Sequence, residues 1–237
     1  MNLVPSKVAR LTLCFCFALA PAVIQAQNQA AVPSSSPGGK PGPSVGQPNF
    51  TDEQMQEIVS KLRDRIGNAA NQVFGRIQKE ESGLRISFTY LRKPDRLDPS
   101  TYASKDDIAQ WRTSIEQTKE KENLLEKLYA NADEDLGNAL TQQKINQAIA
   151  EQIKNELLKT FPWNTIKKRN ELMRDYIAEH DELLTFYEKN WGSWKRGPVT
   201  GTPIFDDKQL AATYRELKEK INATGLQIED QYKVMVQ

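Results

Sequence analysis

Beyond the first 26 residues this 237-residue chain has no cysteine at all. That removes disulfide staples, a thiolate nucleophile and every cysteine-based metal site, so the core must hold the fold unaided. Histidine is nearly as scarce. His180 is the only one, which excludes a multi-histidine metal site and any triad that needs a histidine base elsewhere. Also missing are a glycine-rich phosphate loop, paired metal-ligand spacings and a nucleophile elbow, the local signatures that mark phosphoryl, metal and acyl chemistry. Nothing in the sequence implies a cofactor. An excess of one charge is lacking too: 32 Lys and Arg stand against 31 Asp and Glu. Mixed-sign charge at that density makes a solvated surface without the global positive field on which nucleic-acid binding depends.

The only long apolar run, Leu11 to Ile24, follows Lys7 and Arg10, contains Pro21 and leads to Ala26 before Gln27. It is shorter than the ~20 residues that span a bilayer, and its layout is that of a secretory signal cut after a small residue. The sequence therefore predicts a signal peptide over 1–26, a periplasmic or secreted mature protein, and no transmembrane anchor after cleavage. Leu13 and Phe15 precede the two cysteines where a lipid-modified cysteine would follow a small residue. Loss of Lys7 and Arg10 leaves 30 cations against 31 carboxylates, formally −1.

Residues 27–49 include VPSSSPGGKPGPSVGQPN, a Pro/Gly/Ser tract too poor in apolar side chains to offset the entropy of ordering. It reads as a disordered linker. From 50 to 237 the pattern is helical, and one α-helical bundle domain is expected. Thr51 and Gln54 make a capping box with Phe50 and Met55 as a staple, and Ile58, Val59, Leu62, Ile66, Ala69, Val73 and Ile77 then recur at three-four spacing. Over 84–91 two periods compete. Leu84, Ile86, Phe88 and Tyr90 alternate as in a strand, while Leu84, Phe88 and Leu91 continue the helical face; the lack of a partner strand tips the reading to helix, ending before Pro94.

Ser104 and Asp107 open a second capping signature, and the apolar face runs on through Trp111, Ile115, Leu125, Leu140, Ile149 and Leu157 to the break at Pro162. One bent helix or two, with a weak point at 131–138, both fit. The last two segments repeat one rhythm, Ile166, Asn170, Met173, Ile177, His180, Leu184, Tyr187, Trp191 and then Leu210, Tyr214, Leu217, Ile221, Thr224, Ile228, Gln231, Met235. Equal seams joined by one connector predict an antiparallel, coiled-coil-like pair. The fold expected is all-α, an elongated antiparallel helical bundle.

Within those seams His180 reads as a structural residue with a hydrogen-bond partner on the facing helix, and Asn170 as a register-setting polar residue. Runs such as Glu179, Asp181, Glu182 and Asp133, Glu134, Asp135 read as solvated faces, which leaves a carboxylate-based hydrolase as a distant possibility. Two clusters are candidates for partner binding. One is Trp163 with Lys167, Lys168 and Arg169, cations that oppose the dipole at a helix start and so call for a compensating acid, most economically within the chain. The other is Trp194, Lys195 and Arg196 in WGSWKRGPVTGTP, a connector longer than the ~2–8 residues usual in bundles, read as a bend with Trp191 as buried anchor and Trp194 as exposed tip.

FTDEQ, Phe50 to Gln54, resembles the Leu-Thr-x-x-Gln motif of the small helical periplasmic stress proteins and chaperones of the Spy and CpxP type. Phe50 stands where the motif has leucine, and a second candidate, LTQQK from Leu140, ends in Lys144 where the motif has glutamine. The resemblance implies a client-binding chaperone as the alternative to a protein that works through protein or envelope contacts, including self-association through its helices. No catalysis is inferred.

Overall fold

The computed structural model describes residues 51–198 and 202–236. The signal peptide, linker and Phe50 staple expected from the sequence, and the connector's middle, 199–201, lie outside them. Six α-helices account for most of the described chain: α1 Asp52–Leu91, α2 Lys105–Ala130, α3 Ala132–Gln142, α4 Gln147–Lys159, α5 Trp163–Lys189 and α6 Lys208–Val236. The all-α expectation stands, with one addition. Two three-residue strands, β1 Trp194–Arg196 and β2 Pro203–Phe205, pair antiparallel in the α5–α6 connector.

The helix starts follow their local chemistry. Thr51 N–H donates to Gln54 Oε1 at 3.0 Å and Gln54 N–H to Thr51 Oγ1 at 3.3 Å, the reciprocal bonds of a capping box. At α2 Asp107 N–H donates to Ser104 Oγ, and Asp107 Oδ2 accepts from the N–H groups of Ser104 and Ala103. Over 84–91 the helical period wins: Leu84, Phe88 and Leu91 are buried while Ile86 is 70 % exposed, which a strand with its alternate residues inward would not allow.

The stretch 105–160 is neither one helix nor two but three. Asn131 interrupts the first pair, and the weak point expected across 131–138 shrinks to that residue, since α3 begins at Ala132. The second break, at Gln143–Asn146, falls where the three-four spacing lapses into a step of five from Leu140 to Ile145. Lys144 takes a positive φ of 56° there, and Asn146 Oδ1 caps α4 by accepting from Ala148 N–H.

The stretch expected as a single domain divides into two compact units, one made of 51–76 with Asn131–Thr160 and the other of 77–130 with 161–236. In the first, Ile66, Ala69, Val73 and Phe74 of α1 are buried, as are Leu136 and Leu140 of α3 and Ile149, Ile153 and Leu157 of α4. Lys154 of α4 meets Asp133 of α3 at 3.1 Å.

In the second unit four helical segments pack up-down-up-down. Glu81, Ser87 and Tyr90 of α1 meet Tyr129, Lys121 and Trp111 of α2, in opposite order along the two helices. Arg112 of α2 bonds Asp181 and Glu188 of α5, while Glu122 and Glu126 bond Arg174, again in reversed order. Helices α5 and α6 are the antiparallel pair expected: Arg169, Tyr176, Glu179 and Tyr187 approach Tyr232, Gly225, Thr224 and Tyr214 in turn. Gly225 leaves little room for a side chain, since a Cβ there would lie 3.3 Å from Tyr176 Cε2 and 3.4 Å from Arg92 Nε.

Because α5 has α2 on one side and α6 on another, it is buried on more than its seam. Arg169, Leu172, Tyr176, Glu179, Leu183 and Phe186 are inside along with the expected positions. The α1–α2 connection is two 3-10 turns, Pro94–Leu97 and Pro99–Thr101, closed by aromatic donors. Leu97 O accepts from Tyr187 Oη at 3.1 Å and Tyr214 Oη at 2.7 Å, and Arg96 O accepts from Tyr102 Oη at 3.0 Å.

Candidate functional site

The start of α5 carries an exposed aromatic and two exposed cations on a rigid base. Trp163 and Phe161 stack at 5.3 Å with 25° between their planes, and both meet the edge of Tyr129. The Tyr129 hydroxyl donates to Glu81 Oε1 at 2.7 Å. Burial, with Glu81 beside it, raises that phenol well above its ordinary range, so it stays a donor. Glu81 in turn takes both guanidinium arms of Arg169, at 2.7 and 2.5 Å. Trp163 is 38 % exposed, and Lys167 and Lys168 lie exposed on the following turn.

Arg169 itself is fully buried and has no part in that surface. Its place in an aromatic-basic run suggested a surface cation. Geometry reverses this: it lies one helical position from the exposed side, facing Glu81 and the ring of Tyr232, 5.6 Å away. Glu81 is the intramolecular acid that the dipole argument called for, and it lies 88 residues away on α1, out of reach of any local pattern. Lys168 has Glu171 at 3.9 Å, a weak exposed pair.

The connector's two tryptophans exchange the roles expected of them. Trp194 is the anchor: its indole N–H donates to Pro99 O at 3.2 Å and its ring packs against Tyr187, Phe205 and Trp191. Both tryptophans are half-buried, and the difference lies in their contacts: the one ring neighbour of Trp191 in the described residues is Trp194. The physical reason is the hairpin, which folds Trp194 back over the α1–α2 turns. Gly192, at φ 87°, lets the chain leave α5 in that direction. Lys195 and Arg196 remain exposed, with Lys195 at 3.8 Å from Asp206. Trp163 and the hairpin lie at opposite ends of α5, so the structure does not join the two candidate clusters into one site.

Two further expectations change. His180 is buried, but neither ring nitrogen has a partner among the described residues, and no facing residue bonds it. It is packed edge-on to Tyr176 at 4.6 Å and to Trp111 at 6.3 Å. Burial alone lowers its pKa to about 3, so it is a neutral ring at physiological pH. Glu179 is buried rather than solvated. Thr224 Oγ1 donates to its Oε1 at 2.9 Å, Oε2 has no partner, and desolvation raises its pKa. Glu122, equally buried, is also raised by desolvation although Arg174 stands at 3.4 Å. Asn170 is buried with Oδ1 unpartnered.

Sequence reasoning missed a cavity of about 400 Å³ within the second unit, where the end of α1, the 3-10 turns and the first turns of α2 converge. Tyr90, Arg96, Asp95, Asp107, Gln110 and Trp111 contribute to its wall. Its residues come from three separate segments, and no local spacing joins them. Among the described residues no group of three or more His, Cys, Asp or Glu is placed to hold a metal ion, and no helix is long and apolar enough to cross a membrane. No family model, no curated protein and no solved structure matches this chain.

Proposed function

We propose that this chain is an exported helical protein that acts by binding a protein or cell-envelope partner rather than by catalysis. Export rests on the N-terminal sequence, with cleavage after Ala26 and the 27–49 tract as tether. The observation that supports contact as the mode of action is Trp163: a large aromatic, 38 % exposed, held on a stacked platform that a buried ion pair backs, with Lys167 and Lys168 one turn on. Rigid aromatic anchors beside cations are what interface hot spots are built from, because little side-chain entropy is lost when they are covered. Their partner is expected to present acidic and apolar groups. Lys195 and Arg196 offer a separate contact, whereas the seams of α5 and α6 are taken up by each other within the chain, so self-association would have to use other helix faces.

The test is affinity capture of the mature protein from the extracytoplasmic fraction of its own cells, repeated with Trp163→Ala, Lys167→Glu and Lys168→Glu combined. A specific partner should be lost by the variant without change in its thermal midpoint. Equal capture by both proteins would remove this surface from the proposal.

A client-binding chaperone is the second reading. It is favoured by apolar side chains left on helix surfaces, Ile86 at 70 %, Leu226 at 55 % and Val234 at 53 % exposure. Suppression of aggregation of unrelated unfolded proteins at low stoichiometry, undiminished by the triple variant, would select it over a dedicated partner.

A further inference from the structure

Among the described residues, the first turns of α1 continue an apolar seam that the other helices of their unit are too short to close. We propose that this stretch, 52–65, is a self-association surface that pairs antiparallel with the same stretch of a second copy of this chain.

Within its unit α1 contributes residues 52–76, about 38 Å of helix. The partners there, α3 and α4, are 11 and 13 residues long, about 16–20 Å each. They lie side by side rather than end to end, with Asp133 and Gly137 of α3 both next to Lys154 of α4. Such a pair covers only about half of the α1 segment. Burial follows that length. Ile66, Ala69, Ala70, Val73 and Phe74 are buried, whereas Met55, Val59 and Leu62 are half-buried and Ile58 is 39 % exposed. Yet Met55, Val59 and Leu62 step by four and three onto Ile66 and Ala69, so they share the face that is closed further along.

The charges beside this stripe select its partner. Asp52, Glu53 and Glu57 lie on the first half of the stretch, and Lys61, Arg63 and Arg65 outnumber Asp64 on the second. Parallel copies would set acid against acid; antiparallel copies set each acidic half against a basic one. The apolar positions have the same symmetry. About a two-fold axis between Ile58 and Val59, Met55 of one copy meets Leu62 of the other, and Ile58 meets Val59. The internal Lys61–Glu57 bond joins side chains 65 % and 64 % exposed, so it yields at little cost. The 27–49 tract is a poorer match for the stripe, since Val32 and Val45 are its only branched apolar side chains. An interface this small makes a weak dimer that dissociates on dilution. It uses neither Trp163 nor Lys167 and Lys168, so the partner-binding reading stands or falls separately.

Sedimentation equilibrium of the full mature protein should show a monomer–dimer equilibrium at concentrations up to about 1 mM. Ile58→Asp should weaken it by roughly ten-fold or more at an unchanged thermal midpoint. Because the chain has no cysteine beyond residue 26, single substitutions report the pairing directly even if the aspartate variant folds poorly. Met55→Cys mixed with Leu62→Cys and oxidised should form a disulfide-linked dimer with one copy of each, roughly ten-fold faster than either variant forms a dimer with itself. A protein still monomeric at about 1 mM, an equally tight dimer in a folded Ile58→Asp, or faster cross-linking of Met55→Cys to itself than to Leu62→Cys would overturn the proposal.

Discussion

Arg169 and Glu81 form a two-bonded ion pair in which the arginine is wholly buried and the carboxylate nearly so, with side-chain exposures of 0 % and 15 %. The pair links α5 to α1 and carries the Tyr129 and Tyr232 hydroxyls as further partners. Removing one member of such a pair strands the other. Arg169→Ala should cost about 3–5 kcal/mol, read as a lower urea midpoint at unchanged slope, whereas replacing both partners together by apolar residues of similar size should cost less than either single change.

Trp194 and Trp191 provide a direct comparison. Trp194→Ala removes the indole bond to Pro99 and three ring contacts, and a loss of about 3–5 kcal/mol is expected; Trp191→Ala, with one ring neighbour, should cost clearly less. Thermal melts of the two variants side by side check the order.

His180 and Glu179 act on stability with opposite pH signs. His180 titrates near 6.5 when unfolded and at about 3 when folded, so the unfolded chain binds its proton first and stability falls as pH drops from about 6.5 towards 3. The whole window is on the order of 4–5 kcal/mol. His180→Leu should flatten that acid limb and leave stability at pH 7 unchanged or higher, since neither ring nitrogen loses a bond. Urea midpoints between pH 3.5 and 7 measure it.

Glu179 has its folded pKa raised above 4.5, so its contribution is fully present below that value and is lost as pH rises through the folded pKa. Glu179→Gln keeps an acceptor for Thr224 and removes the buried charge. A gain of about 1–2 kcal/mol at pH 7.5, absent at pH 4, is expected from the same measurement.

Tyr187 and Tyr214 share one acceptor, the carbonyl oxygen of Leu97. Either Tyr→Phe change leaves that oxygen with one donor and should cost about 1 kcal/mol; the double change leaves a buried carbonyl with none and should exceed the sum. A double-mutant cycle by denaturant titration decides it.

What was legible in the sequence was whatever depends on neighbours three or four residues apart. Both capping boxes, the burial of Leu84, Phe88 and Leu91, and the α5–α6 seams belong here. The break at Lys144 was not: the step of five from Leu140 to Ile145 and the cap at Asn146 both mark it, but the apolar residues resume a helical spacing at once, from Ile145 to Ile149, and so read as one continuing face. Neither was the inward turn of Arg169 and Glu179. A helix buried on one seam has charged flanks in water, but α5 lies against both α2 and α6, so its flanks are interior. The cavity was the least visible of all, as Arg96, Asp107 and Trp111 meet only through the folding of two short turns whose course no periodicity describes.

The hairpin and the α1–α2 turns are fastened to each other at several points: Trp194 to Pro99, and the Tyr187 and Tyr214 that hold Leu97 also face the hairpin through Trp194 and Phe205. Neither can swing away without releasing the other. In hydrogen exchange the two should therefore behave as one cooperative opening unit, with the Asp206 amide, which bonds Ser193 O, and the Thr101 amide, which bonds Asp98 O, exchanging at a common free energy although 105 residues separate them in the chain.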